Sequence, residues 1–286
     1  MTTVQELRAR ICALCKKKGI DSKELPETIL AFMMLFKEEF GGDPENTLTL
    51  MEDDSNLTDI SIFDENFRKD INDIISDNLK NDPIFPHLFE VIVNITTRSI
   101  GIGEYALAFI LKDYSFSHGD NDGLHKKGKT EVKKSNSSLK VIKTGITDKG
   151  LVDELNRKYF DGNKPGAYLK KDFLAHVASV SNPQKQYLDY FTELYPGVDV
   201  TQLAEDLAEC YTNKEEFNNV IGKFALKRYK EIDGWYNIFY FNPETKKVVN
   251  IVDVNNLNGL GLRFYPKLVR LNCTQAVADG YVDVKI

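Results

Sequence analysis

The chain has little cysteine and little histidine, and neither is arranged for the chemistry it usually serves. Four cysteines in 286 residues, Cys12, Cys15, Cys210 and Cys273, are too sparse and irregular to frame a small disulfide-bonded secreted fold. Cys12 and Cys15 make one C-x-x-C, but no second pair follows at zinc-finger spacing. The run around them, VQELRARICALCKKK, reads as an amphipathic helix with the stripe Val4, Leu7, Ile11 and Leu14, whereas a redox motif sits at a strand end. His87, His118, His125 and His176 fall in neither H-x-x-x-H nor H-E-x-x-H spacing, which argues against a zinc hydrolase. Gly101 and Gly103 lack the third glycine of a dinucleotide loop. No uninterrupted apolar run approaches the ~18 residues that cross a bilayer, and MTTVQELRARICALCKKKGI holds no apolar leader segment. The expectation is a soluble chain, cytoplasmic or within a virus particle, with no membrane partner.

What is present is ordinary in amount and uneven in placement. With 42% hydrophobic and 28% charged residues, the chain can bury one large core or two modest ones. A net charge of -6 argues against a wholly basic surface. The charge is segregated, however: KKGKTEVKKSNSSLKVIK holds seven lysines and the single acid Glu131, while DPENTLTLMEDDSNLTDISIFDEN is almost wholly acidic.

Residues 1–97 read as a helical region, with helices near 3–18, after Pro26-Glu27 until Gly41-Gly42, over FDENFRKDINDIISDNLK, and over PHLFEVIVNITTRS. Residues 98–145 hold an apolar helix, EYALAFILKDY, with Glu104 in its first turn, and a hairpin made of SFSHGDNDGLH and KTEVKKS; SLKVIKTG adds a further strand. Residues 146–232 return to helices, with Thr212 and Glu215 fitting a capping box. Residues 233–286 carry strands: WYNIFYF and KKVVNIVDV around the turn Asn242-Pro243-Glu244-Thr245, then GLRFYPKLVRL and GYVDVKI.

Folding the first hairpin about Lys127-Gly128 sets Lys126 opposite Lys129, Leu124 opposite Glu131, and Asp122 opposite Lys133. Side chains alternate along a strand, so Asp120, Asp122, Glu131 and Lys133 share one face. Two carboxylates a few Å apart ionise together only beside a cation. Mg²⁺ is the usual partner of such oxygens, and a nearby lysine can orient or deprotonate a water there.

These residues resemble a family. Glu104 at a helix start, Asp122, and Glu131-Val132-Lys133 on the next strand are similar to the PD-(D/E)XK nuclease superfamily, over about residues 98–145. The resemblance implies an α/β (α+β) fold: a restriction-endonuclease-like core of a small mixed sheet flanked by helices, completed by the helix ending near Lys230 and the strand WYNIFYF. It implies a Mg²⁺-dependent DNA endonuclease, with Mn²⁺ able to substitute. Asp122 and Glu131 would hold the ion, Glu104 and Asp120 would stand in or next to its shell, and Lys133 would position the water. The lysine cluster suggests Lys134, Lys140 and Lys143 as phosphate contacts.

Plainer readings stand beside these. Glu131 and Lys133 suit a solvated hairpin face, Glu104 suits a helix N-terminus, and Asp120 and Asp122 suit turns beside Gly119 and Gly123. The rival function is a non-catalytic virion or nucleoprotein component, with homo-oligomer or assembly partners, that keeps a nuclease-like scaffold.

Overall fold

The computed structural model describes residues 2–96, 101, 103–117, 122–135, 137–143, 150, 154, 182–194, 197–210, 212–267 and 279–286. The chain divides into two units: Met1–Ser135 with Trp235–Gly261 and Ile286, and Asn136–Gly234 with Leu262–Lys285. This division differs from the one expected at 97, 145 and 232. The helical N-terminal region and the hairpin form one unit, and the final strands are shared between the two.

In the first unit α1 (Val4–Lys17) starts at a Thr3/Glu6 capping box and buries Leu7, Ile11, Leu14 and Cys15. Helices α2 (Glu24–Phe40) and α3 (Pro44–Glu52) follow. The next helix expected from sequence is absent. Over that run lie two short 3₁₀ turns, the strand β1 (Phe67–Asp70) and the single turn of α4 (Asp77–Lys80). Phe63, Phe67, Ile71, Ile74 and Ile75 are buried, as their spacing suggested. What overrides the helical period is a distant partner: β1 pairs antiparallel with β7 (Lys247–Ile251). Asp59 and Asp70 then accept from Ser61 N–H and Asn72 N–H, which caps turns and breaks the helix.

Helix α5 (Phe85–Asn94) begins at buried Asp82, whose carboxylate accepts from Ile84 N–H, Phe85 N–H and the Thr47 hydroxyl at 2.8–3.0 Å. Helix α6 is shorter than its apolar run, Ala106–Ile110, and all of it is buried. The six-stranded sheet runs β1-β7-β6-β4-β3-β2, with β2 at Tyr114–Phe116, β3 at Gly123–His125, β4 at Gly128–Lys134 and β6 at Asn237–Asn242. Every pairing is antiparallel except β4 with β6, so the sheet is mixed. Val132, Phe239, Phe241 and Val248 join the helices in one core. On that face Thr130 Oγ1 donates to Asn237 Oδ1 (2.7 Å), Asn237 Nδ2 to Asn250 Oδ1 (2.7 Å), and Asn250 Nδ2 to the Glu65 carbonyl (2.8 Å).

The second unit holds a three-stranded antiparallel sheet ordered β5-β9-β8, from β5 (Ser137–Lys143), β8 (Arg263–Lys267) and β9 (Asp279–Lys285). The first six residues of SLKVIKTG are therefore strand, in this sheet and not in the six-stranded one; the last two lie outside the described residues. Its helices are α7 (Pro183–Leu194), α8 (Thr201–Cys210) and α9 (Lys214–Asp233). Asn213 caps α9 by accepting from Glu216 N–H at 3.2 Å, one residue beyond the expected Thr212/Glu215 box. Most of the expected helical stretch before Asn182 lies outside the described residues. Among the described residues no helix is long and apolar enough to cross a membrane.

Candidate active site

The hairpin turns one residue earlier than expected. Gly123 pairs with Thr130, Leu124 with Lys129 and His125 with Gly128, so Lys126-Lys127 makes the turn. Gly128 is instead the first residue of β4. It has φ 143°, and a Cβ there would come within 2.9 Å of Tyr236 Cβ. The correction moves Leu124 from Glu131 to Lys129 and leaves strand parity unchanged. Extending the register puts Asp122 opposite Glu131 on the same face.

Strand β3 stops at Gly123, where a Cβ would lie 1.8 Å from the Tyr114 hydroxyl oxygen; only a bare backbone fits beneath that ring. Asp122 therefore leaves the ladder, and its Oδ2 accepts from Val132 N–H at 2.7 Å. A carboxylate takes the place of a strand carbonyl, docked on β4 between Glu131 and Lys133. Lys133 Nζ pairs with Glu131 Oε1, the acid side chain 6% exposed and the lysine 26%. Glu104 precedes α6 and accepts from Gly101 N–H at 2.6 Å; its loop is tied to α5 by Gly103 N–H to the Val93 carbonyl at 2.9 Å.

These groups alter one another's titration. Burial first, and then the charge of Glu131, pushes the Asp122 carboxyl up to about 7, with Glu104 adding to the effect and Lys133 and the Val132 amide opposing it. Burial also raises Glu104, against the Gly101 hydrogen bond and Lys133. For Lys133 burial works downward, but Glu131, Asp122 and Glu104 outweigh it and hold the ammonium above its ordinary value. Held protonated in this way, Lys133 is a cation that can donate to a water or to an oxygen.

Other expected residues fare differently. Asp120 and His118 lie outside the described residues. Lys134 is exposed at the end of β4 and alternates away from Lys133. Lys140 and Lys143 lie on β5, in the other unit, with side chains outside the description. Sequence reasoning missed the Val132 amide and missed Tyr240, which stands opposite Lys133 on parallel β6. The alternation in WYNIFYF marked a strand, but nothing in it announced its neighbour.

Among the described residues no three His, Cys, Asp or Glu side chains form a ready metal cage. The donor chemistry still suits one hard cation: two acids on one face, one pushed toward neutrality partly by the other's charge, is the arrangement a divalent ion relieves. Mg²⁺ commonly binds through one or two carboxylates and keeps several waters. Compared with known proteins, the chain matches no family model, no curated protein and no solved structure, so the site is read from its own geometry.

Proposed function

We propose that the chain is a Mg²⁺-dependent endonuclease that hydrolyses DNA phosphodiester bonds at Asp122, Glu131 and Lys133, on a restriction-endonuclease-like core. One observation carries the reading: a buried Glu131 paired with the half-buried Lys133, and Asp122 bonded to the amide between them. A solvated hairpin face would not bury its acid. The order of elements supports it too: α6, the antiparallel run β2-β3-β4, then helix α9 and a strand parallel to β4.

Asp122 and Glu131 would hold the ion, with Glu104 beside them and Mn²⁺ able to substitute. When bound, the ion supplies a Lewis acid for a phosphoryl oxygen and lowers the pKa of water. The chain does the rest. The Val132 amide fixes one Asp122 oxygen, so the carboxylate cannot rotate away from β4. Glu131 aims Lys133, whose ammonium orients the attacking water or offsets charge building on the scissile phosphate.

Supercoiled and linear DNA are incubated with Mg²⁺, Mn²⁺ or EDTA, using wild type and folded Glu131→Ala and Lys133→Ala proteins. Each substitution is expected to slow cleavage by at least ~10²-fold. Equal cutting by wild type and Glu131→Ala would sink the assignment. Binding without cutting of any DNA or RNA would favour a non-catalytic assembly protein.

A further inference from the structure

The sheet face that carries Glu131 and Lys133 is closed on one side and open on the other. Over β6 and β7 its residues in register are Ile238 with Ile251 and Tyr240 with Val249, each 0% exposed. On the other side Ser115 pairs with Leu124 and Leu124 with Lys129, so these three make one row across β2, β3 and β4. Lys129 precedes Glu131 by two residues, and side chains two apart on a strand share a face, so the row lies next to the acid. Here the face is open: Ser115 is half-buried, Lys129 is exposed and Leu124 is 48% exposed.

The lysines around this row are not equally available. Lys133 is engaged by Glu131 and Lys127 by Asp64. Among the described residues no carboxylate pairs with Lys129. Its backbone is nonetheless fixed, because its carbonyl accepts from Tyr236 N–H at 2.7 Å just before β6 begins. Two residues along a strand rise about 6.6 Å, close to the step between neighbouring phosphates of one nucleic-acid strand. A nucleic-acid strand running along β4 with one phosphate at Glu131 and Lys133 therefore brings the next phosphate over Lys129, where an ammonium makes a charge-assisted contact. We propose that Lys129 and Leu124 are the substrate contacts beside the scissile position: Lys129 pairs with the adjacent phosphate, and Leu124, opposite it on β3, packs on the sugar. The place of the scissile phosphate rests on the nuclease reading; the binding of a nucleic-acid backbone to the open row does not.

Fluorescence anisotropy of a labelled DNA duplex, titrated in Ca²⁺ at several salt concentrations, separates the two contacts. Lys129→Met keeps the stem and removes the charge. It is expected to weaken binding about tenfold at low salt and to lower the slope of log Kd against log salt by about 0.9, the share of one duplex phosphate contact. Lys129→Arg, which keeps the charge, is expected to keep the slope. Leu124→Thr retains a strand former and is expected to weaken binding about threefold at every salt concentration, with the slope unchanged. An unchanged slope in Lys129→Met, the same loss of slope in Lys129→Arg, or no binding of the duplex by wild type would overturn the proposal, whatever the protein cuts; wild-type affinity in Leu124→Thr would overturn the leucine's part. In cleavage, Lys129→Met is expected to raise KM about tenfold with kcat within about threefold, and a fall in kcat with KM unchanged would equally overturn it. The expected change of slope with no cleavage by wild type would uphold the contact and sink the nuclease reading alone.

Discussion

Replacing Asp122 by asparagine keeps an oxygen for the Val132 amide and removes a charge that the folded chain holds at a disadvantage. The carboxyl's ordinary value of 3.8 is moved to about 7, by burial first and by Glu131 second. Each tenfold change in proton affinity corresponds to about 1.4 kcal/mol, so ionised Asp122 disfavours the folded state by up to about 4 kcal/mol. The direction follows from which state holds the proton. Below about pH 4 both folded and unfolded chains hold it; between about pH 4 and pH 7 only the folded chain does, so wild-type stability falls as pH rises. Above about pH 7 both have lost it and the full penalty stands. Glu104, raised by burial, and His125, lowered by burial, tilt the curve as well, but they are common to both proteins. The comparison is urea unfolding of wild type and Asp122→Asn across this range in EDTA. The variant is expected to gain on wild type by about 2–4 kcal/mol between pH 4.5 and pH 8. Adding Mg²⁺ at pH 8 is expected to restore wild type preferentially, since a ligand bound only by the folded state stabilises it. Parallel stability curves would refute the account of Asp122.

Asp82→Ala is expected to lower stability by about 3 kcal/mol in urea unfolding, because it strips a buried cap from Ile84, Phe85 and Thr47 together; a loss under ~1 kcal/mol would mean that water replaces the cap. Replacing Lys134, Lys140 and Lys143 together by alanine is expected to weaken DNA binding and flatten its salt dependence, read by fluorescence anisotropy at several salt concentrations in Ca²⁺. An unchanged salt slope would mean that none of these lysines contacts phosphate.

The shared face of Glu131 and Lys133 was legible because strand parity survives an error in the turn. Lys127-Gly128 looked like the turn because glycine favours turns, yet Gly128 is needed where β4 starts against Tyr236. The helix expected over Phe63–Lys80 failed for a different reason. Buried residues recur at the same places in a helix and in this succession of strand and turns, and β1's partner β7 lies far along the chain. Long-range parallel pairing is equally silent in sequence, so Tyr240 could not be placed beside Lys133. The upward shifts of the Asp122 carboxyl and the Lys133 ammonium were not legible either, because they depend on burial and on the acids that the fold gathers around each.

The buried run from Thr130 through Asn237 to Asn250 fixes more than local geometry. These side chains lie on the sheet face opposite Glu131 and Lys133, each 0% exposed. If β4 slid by one residue along β6, the hydroxyl would leave its amide, and the acid and lysine would turn into the helix-packed core. An aliphatic row in their place would pack at least as well, but would leave the slide opposed only by the burial of the acid and the lysine. The amides act as an alignment key, so errors of threading are rejected on the far side of the sheet before any ligand reaches the near one.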